Sequence, residues 1–336
     1  MTKPAGARRR AISVSGEGLI DERLMPGKSM PLVISPTIGG INLERWASRN
    51  RAQIENRLAR YGAILFRGFE IDTASIFEQC VKTIAGELLE YHERSSPRSR
   101  ISGNIYTSTD YPSERSIFLH NENSYQQSWP MKIFFCCATP ALEGGETPIA
   151  DCRNIFKLID PSVRERFAQK KIRYVRNFGD AFGLPWETVF QTSDRSAVEK
   201  HCKQNDVQFE WREKNYLRTS AVRAAIAAHP RSGEMVWFNH CAFFHVSTLE
   251  ASVCELLLSE LTVEQLPANT YYGDGSTIES SVLEEIRAIY RRETVSFSWE
   301  KGDVLMLDNM LTAHGRAPFV GPRKILVGMA ELFTLS

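Results

Sequence analysis

The triplet His120-Asn121-Glu122 closes the apolar run Ile117-Phe118-Leu119 and sets a carboxylate two positions beyond an imidazole. Side chains alternate along a β-strand, so His120 and Glu122 are expected on one face, close enough to bind one ion. The third ligand expected is His314, in Asp308-Asn309-Met310-Leu311-Thr312-Ala313-His314-Gly315-Arg316. Two imidazoles and one carboxylate suit Fe(II) and leave one side of the metal open to a cosubstrate and O2. Alone, an H-x-E triplet is a common chance pattern, and its bland reading is a polar strand end beside a surface carboxylate. The C-terminal residues change that weighing. Arg323 stands nine positions beyond His314, at the head of the apolar run Lys324-Ile325-Leu326-Val327-Gly328-Met329-Ala330. A guanidinium there can hold a carboxylate through two parallel hydrogen bonds, as a dicarboxylate cosubstrate with its other end on the metal would require. The bland reading of Arg323 is a surface ion pair, and for Arg316 that reading is stronger. Thr147 adds a hydroxyl to the clamp or is only a turn residue. A zinc hydrolase with the same triad is disfavoured, because no helical H-E-x-x-H motif and no evident general base is present.

Strands must deliver these groups, and the chain supplies them on both sides of a mixed central stretch. Asn42 is placed to cap a helix with Leu43, Trp46, Ala47, Ile54, Leu58 and Tyr61 on one face, stopped by Gly62. Ala63–Phe66 reads as a buried strand. A second helix follows Asp72, with Ile76, Phe77, Cys80, Val81 and Ile84 inward. Residues 91–116 are rich in Ser, Arg and Pro and read as a loop, either a wall of the site or a solvated connection. Met131–Ala138 is an apolar strand, and Gly144-Gly145 turns into a short strand ending at Asp151. Asp160-Pro161 opens a helix with a cap and a proline at its first position. Residues 160–235 mix helical and strand signals and read as an insertion covering one mouth of the core. Strand character resumes at Met235–Asn239, helices fall at about 248–260 and 279–291, and Thr294–Trp299, Val304–Leu307 and Lys324–Ala330 are strands. The expected fold is mainly β with helical insertions, a double-stranded β-helix (jelly-roll) core, in one domain over residues 1–336.

Composition narrows the function classes. A chain of 336 residues with 43% hydrophobic content can bury a full core. A net charge of +1 predicts neither nucleic acid nor a membrane surface as partner. No apolar run is long enough to span a bilayer. Met1 to Arg10 is basic but has no apolar stretch after it, so it reads as a flexible lead-in and not a secretory signal. The seven cysteines are odd in number and lack a C-x-x-C pair, which argues against a zinc ribbon or a disulfide framework. Reduced thiols in a cytoplasmic protein follow, with Cys136 and Cys137 in the core.

Several segments carry a family likeness. They are Tyr106-Thr107-Ser108-Thr109-Asp110-Tyr111-Pro112, Leu119-His120-Asn121-Glu122-Asn123-Ser124-Tyr125, Trp129-Pro130, Gly144-Gly145-Glu146-Thr147-Pro148, Trp237-Phe238-Asn239-His240, Tyr272-Gly273-Asp274-Gly275, and the block from Gly302 to Arg323. Together they resemble the TauD/TfdA group of Fe(II)/2-oxoglutarate-dependent dioxygenases, and its SyrP-like branch in nonribosomal-peptide and amino-acid natural-product pathways. The resemblance implies iron held by His120, Glu122 and His314, with 2-oxoglutarate chelating it and placing its far carboxylate on Arg323, assisted by Thr147. It implies O2 as the second cosubstrate, succinate and CO2 as co-products, and an amino-acid-like substrate, free or tethered to a carrier protein. Glu122 stands where aspartate is commoner in the wider group. Related halogenases carry a small residue there, so the intact carboxylate favours hydroxylation, with desaturation or cyclisation as variants of the same site. The spacing from His314 to Arg323 is shorter than in taurine-type members, which keeps Arg316 as a second candidate clamp. His240 and His245 read as core or supporting histidines. The contrasting expectation is a non-catalytic jelly-roll that binds a metabolite or partner, for which a scaffold would have no need of His314.

Overall fold

The computed structural model describes residues 18–90, 99–109, 111–179 and 184–334. Strands β1 (Ile20–Leu24) and β2 (Leu32–Pro36) lead to helix α1 (Leu43–Tyr61), β3 (Ala63–Phe66) and α2 (Ala74–Ala85). A hairpin of β4 (Arg100–Ser102) and β5 (Ile105–Thr107) precedes β6 (Ile117–His120), β7 (Ser128–Thr139), β8 (Glu143–Gly144) and β9 (Ile149–Asp151). Then come α3 (Cys152–Leu158), α4 (Pro161–Lys170), β10 (Ile172–Phe178), α5 (Trp186–Phe190) and α6 (Arg195–Gln204). Four strands follow: β11 (Gln208–Arg212), β12 (Tyr216–Arg223), β13 (Ile226–Ala228) and β14 (Met235–Trp237). Next are α7 (Cys241–Phe244), α8 (Ala251–Glu260), β15 (Ala268–Tyr272) and α9 (Ser280–Glu293). The last strands are β16 (Val304–Asp308), β17 (Thr312–Arg316), β18 (Phe319–Val320) and β19 (Lys324–Thr334).

Local chemistry explains the first helix. Asn42 Oδ1 accepts from the Arg45 amide at 2.8 Å, and Gly62 ends the helix at φ 72°, a left-handed conformation that glycine adopts without strain. Its buried face is Leu43, Trp46, Ala47, Ile54 and Leu58, as the spacing predicts, while Tyr61, expected on the same face, is half-buried. Helix α2 follows Asp72 with Thr73 as its cap, and Ile76 faces outward at 38% exposure while Phe77, Cys80, Val81 and Ile84 are buried. Ile76 lies about 100° round the helix from Phe77 and so falls outside the stripe of Phe77, Cys80, Val81, Ile84 and Ala85 that faces the core.

The large sheet runs β1-β2-β3-β16-β7-β19-β5-β4, and a smaller one runs β6-β17-β9. Strand β7 lies between β16 and β19, antiparallel to both, which is why its sequence is almost uniformly apolar. Its alternate residues Phe134 and Cys136 face a core that includes residues of α1 and α2. Ile133, Phe135 and Cys137 face the opposite core with Leu305, Leu307, Ile325, Val327 and Ile149, the last from the small sheet. Two sheets packed in this way make the jelly-roll, with the expected helical additions.

Three expectations need correction. Residues 91–116 are not all loop: β4 and β5 form a hairpin at the edge of the large sheet, while 91–98 and 110 lie outside the described residues. The edge strand β4 is polar and exposed, and the inner strand β5 puts only Ile105 and Tyr106 into the core, too short an apolar signal to mark a strand. Thr294–Trp299 forms no strand and touches the small sheet through one bridge, Val295 to Ile149. The 160–235 stretch builds a sheet β11-β12-β10-β15 that is completed from beyond its expected end, since Tyr272 pairs with Ile172. The lead-in from Met1 to Arg10 falls outside the described residues. All seven cysteines are free. No described helix is long and apolar enough to cross a membrane.

Candidate metal centre

His120 ends β6 and His314 lies on β17, and the antiparallel pairing of these strands sets the two residues directly opposite each other. Their ring centroids are 4.6 Å apart. Gly315 permits this close pairing, because a side-chain carbon there would meet the Ile117 carbonyl oxygen at 2.5 Å. Glu122 reaches the same point by another route than expected. It lies past the end of β6, in a turn, so strand alternation does not explain its direction. The turn is held by Asn309 instead. The Glu122 amide donates to Asn309 Oδ1 at 2.8 Å, and Asn309 Nδ2 donates to the Glu122 and Pro130 carbonyls, each at 2.9 Å. Asn121 Nδ2 returns a bond to the Asn309 carbonyl at 2.6 Å. Asn123 completes the turn at φ 57°, a conformation asparagine tolerates better than most residues.

One ligand atom from each of His120, Glu122 and His314 lies within 4.8 Å of the others. Glu122 and His314 are 3% and 4% exposed, so a carboxylate and an imidazole are withheld from bulk water at one point. His120 Nδ1 lies 2.9 Å from the Phe118 carbonyl, which can only accept, so the proton sits on Nδ1 and Nε2 keeps a lone pair for a metal. The donor set is nitrogen and oxygen with no thiolate, which fits Fe(II).

Two cavities meet at His120. The smaller, about 390 Å³ including its open mouth, is lined by His120, His314, Thr147, Arg316, Arg323 and Ser108 among others. Arg323 donates Nε to the Gly145 carbonyl at 2.8 Å and Nη1 to Ser108 Oγ at 3.3 Å. A side chain at Gly145 would meet Arg323 Cδ at 3.0 Å, so glycine makes room for this guanidinium. Among the described residues no carboxylate forms an ion pair with Arg323. Burial and the neighbouring Arg316 push its pKa down to about 10, which leaves it charged at neutral pH. Thr147 is buried and its Oγ1 accepts from Trp299 Nε1 at 3.2 Å, leaving the hydroxyl hydrogen to donate. Arg316 lines the same cavity but gives its terminal nitrogens to the carbonyls of Tyr111, Pro112 and Arg115.

The larger cleft, about 1880 Å³ including its open mouth, is lined mainly by apolar residues such as Phe118, Phe243, Phe244, Leu249 and Leu257. Its described walls come from residues 109–120 and 240–268, so the 160–235 stretch does not form them. Thr109 and Tyr111, from the segment singled out in the sequence, do contribute. Burial holds the His240 pKa well below the usual value, helped by His120, and burial holds His245 down to about 4. Sequence reasoning passed over Ser108, Asn121 and Asn309, although all three lie inside the quoted segments.

The family model for the taurine catabolism dioxygenase TauD, TfdA family matches residues 27–330. The chain is 42% identical over 278 residues to the dapdiamide synthesis protein DdaC of Enterobacter agglomerans, covering 83% of this chain and 84% of that one. In fold it is similar to PvcB of Pseudomonas aeruginosa, with a TM-score of 0.55 at 14% identity, covering 94% and 93% of the two chains. A taurine dioxygenase from Burkholderia xenovorans gives a TM-score of 0.55 at 16% identity, covering 93% and 89%. The chain belongs to the TauD/TfdA family: it is an Fe(II)/2-oxoglutarate-dependent dioxygenase, working with Fe(II), 2-oxoglutarate and O2.

Proposed function

We propose that the enzyme hydroxylates an unactivated carbon of an amino-acid-like molecule, free or tethered to a carrier protein, in natural-product biosynthesis. In this reading His120, Glu122 and His314 hold Fe(II), and Arg323 with Thr147 holds the far carboxylate of 2-oxoglutarate. The observation that carries it is the division of space at His120. A small cavity lined by a half-buried arginine that no described carboxylate pairs lies on one side, and a large apolar cleft on the other. The first suits a short dicarboxylate, the second a larger organic substrate. Similarity to a protein named for dapdiamide synthesis supports a biosynthetic role. Glu122 in place of aspartate supports the SyrP-like branch. The seven free cysteines support a reducing compartment such as the cytoplasm, and the pairing of sheet strands from both ends of the chain supports a single domain.

Each side chain has a separate task. The Phe118 carbonyl keeps the His120 proton on Nδ1, so Nε2 faces the metal position. Arg323 has donors left after bonding Gly145 and Ser108, and these receive the distal carboxylate. Thr147 adds a hydroxyl donor. The apolar cleft excludes water and orients the target carbon. When bound, Fe(II) with 2-oxoglutarate and O2 supplies the oxidising power, and succinate and CO2 leave as co-products. Arg316 braces the 111–115 segment in this scheme and is not the clamp.

The test is succinate release from 2-oxoglutarate with Fe(II) under air, stimulated by candidate amino acids. His120→Ala and Glu122→Ala are expected to abolish it and to lose tight Fe(II) binding. Unchanged turnover in both would refute the ligand assignment. Protein prepared without air that retains zinc and hydrolyses a substrate with no need of 2-oxoglutarate would refute the oxidative role.

A further inference from the structure

His240 does not behave as a core histidine that spends both ring nitrogens on the protein. It lines the larger cleft, with its ring centroid 5.3 Å from that of His120, and it packs against Tyr125 and Phe244 at 5.0 and 4.9 Å. Its Nδ1 lies 2.6 Å from Ser124 Oγ. Ser124 owns one hydroxyl hydrogen, and its Oγ is also 3.0 Å from the Asn121 carbonyl, an atom that can only accept. Both contacts are hydrogen bonds only if Ser124 donates to Asn121 and accepts from His240. The ring proton therefore sits on Nδ1. The ring has aromatic neighbours and no described carboxylate in contact, so it is neutral and Nε2 carries a lone pair. Among the described residues nothing donates to that atom.

We propose that His240 determines specificity in the substrate cleft, its Nε2 accepting a hydrogen bond from an N–H or O–H of the substrate beside the metal. This deepens the function proposed above and rests on the larger cleft being the substrate's side. The substrate class it selects carries a donor, such as an amide N–H, next to the carbon to be oxidised and an apolar body beyond it. A donor that misses Nε2 is buried among Phe243, Phe244 and Leu257 without a partner, so discrimination should be roughly tenfold or more. Ser124 acts as a positioning residue. Without its oxygen the proton is free to move to Nε2, and the site would then favour an acceptor.

Two measurements test this. Nitrogen NMR of histidine-labelled, metal-free protein reads the tautomer without turnover. His240 should carry its proton on Nδ1, and Ser124→Ala should shift the population toward Nε2–H. The Fe(II)-loaded enzyme is then given amino-acid amides in matched N–H and N-methyl pairs, and substrate-stimulated succinate release is followed. The N–H member should be favoured roughly tenfold, mainly in KM. His240→Phe should erase that preference, and His240→Gln, whose Oε1 also accepts, should keep part of it. A proton on Nε2 in the wild type, or an undiminished preference in His240→Phe, overturns the proposal. If no amide stimulates release, the assignment of the cleft to substrate fails, and the tautomer still decides the state of His240.

Discussion

Arg323 shows what one residue contributes. Its guanidinium is half-buried, bonded to a backbone carbonyl and a hydroxyl, and paired with no described carboxylate. A dicarboxylate that neutralises it gains a charge-assisted pair in a water-poor site. Replacing it leaves the ligand's carboxylate unpaired, which typically costs about 3 kcal/mol, or roughly 100-fold in affinity. Arg323→Ala is therefore expected to raise the 2-oxoglutarate concentration needed for half-maximal succinate release by about that factor. Fe(II) binding without cosubstrate should be unchanged. Arg323→Lys keeps the charge and loses the fork, so it should fall between. Thr147→Val removes one neutral donor and should cost about 1 kcal/mol, or fivefold. An equal loss in Arg316→Ala, with the 111–115 segment still folded, would move the clamp to Arg316. At this scale the sequence was informative where a residue's type is itself unusual for its place. A histidine and an acid at the end of an apolar run, and an arginine heading another, stand out without coordinates. It was silent on Arg316, because no pattern shows that a guanidinium is already spent on three carbonyls. It was silent on His240 as well, whose tautomer depends on Ser124, 116 positions earlier in the chain.

At the scale of elements, the metal site depends on a turn more than on a strand. The β6 strand aims His120, and the β6–β17 pairing brings His314 to it, but Glu122 is placed by Asn309 in the turn between β16 and β17. The elements that carry the three ligands are thus joined by one asparagine side chain that is fully buried. Asn309→Ala should weaken Fe(II) binding by roughly 10–100-fold, as loss of a ligand-orienting partner usually does. It should also lower stability, by about 1–3 kcal/mol for the buried groups left unpaired. Asn42→Ala is the matching control. It removes the α1 cap at a cost of about 1 kcal/mol, and it should leave Fe(II) affinity alone. Equal metal losses in the two variants would mean that general loosening, and not the turn, explains the effect. Helix α1 was legible to the residue because cap, stop and apolar face are all local signals. The Glu122 turn was not, since its partner lies 187 positions away and the alternation rule gave the right neighbours for the wrong reason. The β4–β5 hairpin was missed because β4 is exposed and β5, only three residues long, buries just Ile105 and Tyr106.

Across the whole molecule, the jelly-roll was readable from the apolar runs that become β3, β7, β16 and β19, because strands covered on both sides must be apolar throughout. Their order in the sheet was not readable, and one charged residue marks where that order matters. Lys132 lies in the middle of the sheet on β7, only 1% exposed, between Asp308 of β16 and Ala330 of β19. Its Nζ bonds to Glu55 of α1 and Glu331 of β19. Arg231, between β13 and β14, closes the ring by pairing with Glu55 at 2.7 Å and with Glu331. Four parts of the fold that are remote in sequence therefore meet in one network of two cations and two carboxylates. Breaking a buried ion pair from one side typically costs about 3–5 kcal/mol, because the remaining charges stay buried, whereas replacing every member with neutral groups of similar size can be close to neutral. Here only the lysine is buried: Glu55, Glu331 and Arg231 keep 31%, 26% and 47% of their side chains exposed and still pair with one another, so Lys132→Met should fall below that range, at about 2 kcal/mol. Adding Glu55→Gln and Glu331→Gln to Lys132→Met should recover much of that loss in the thermal midpoint. None of the four residues lines either cavity, so Fe(II) affinity and the KM for 2-oxoglutarate should hold in every folded variant. A triple variant as unstable as Lys132→Met would show that the lysine stem, by packing, matters more than its charge.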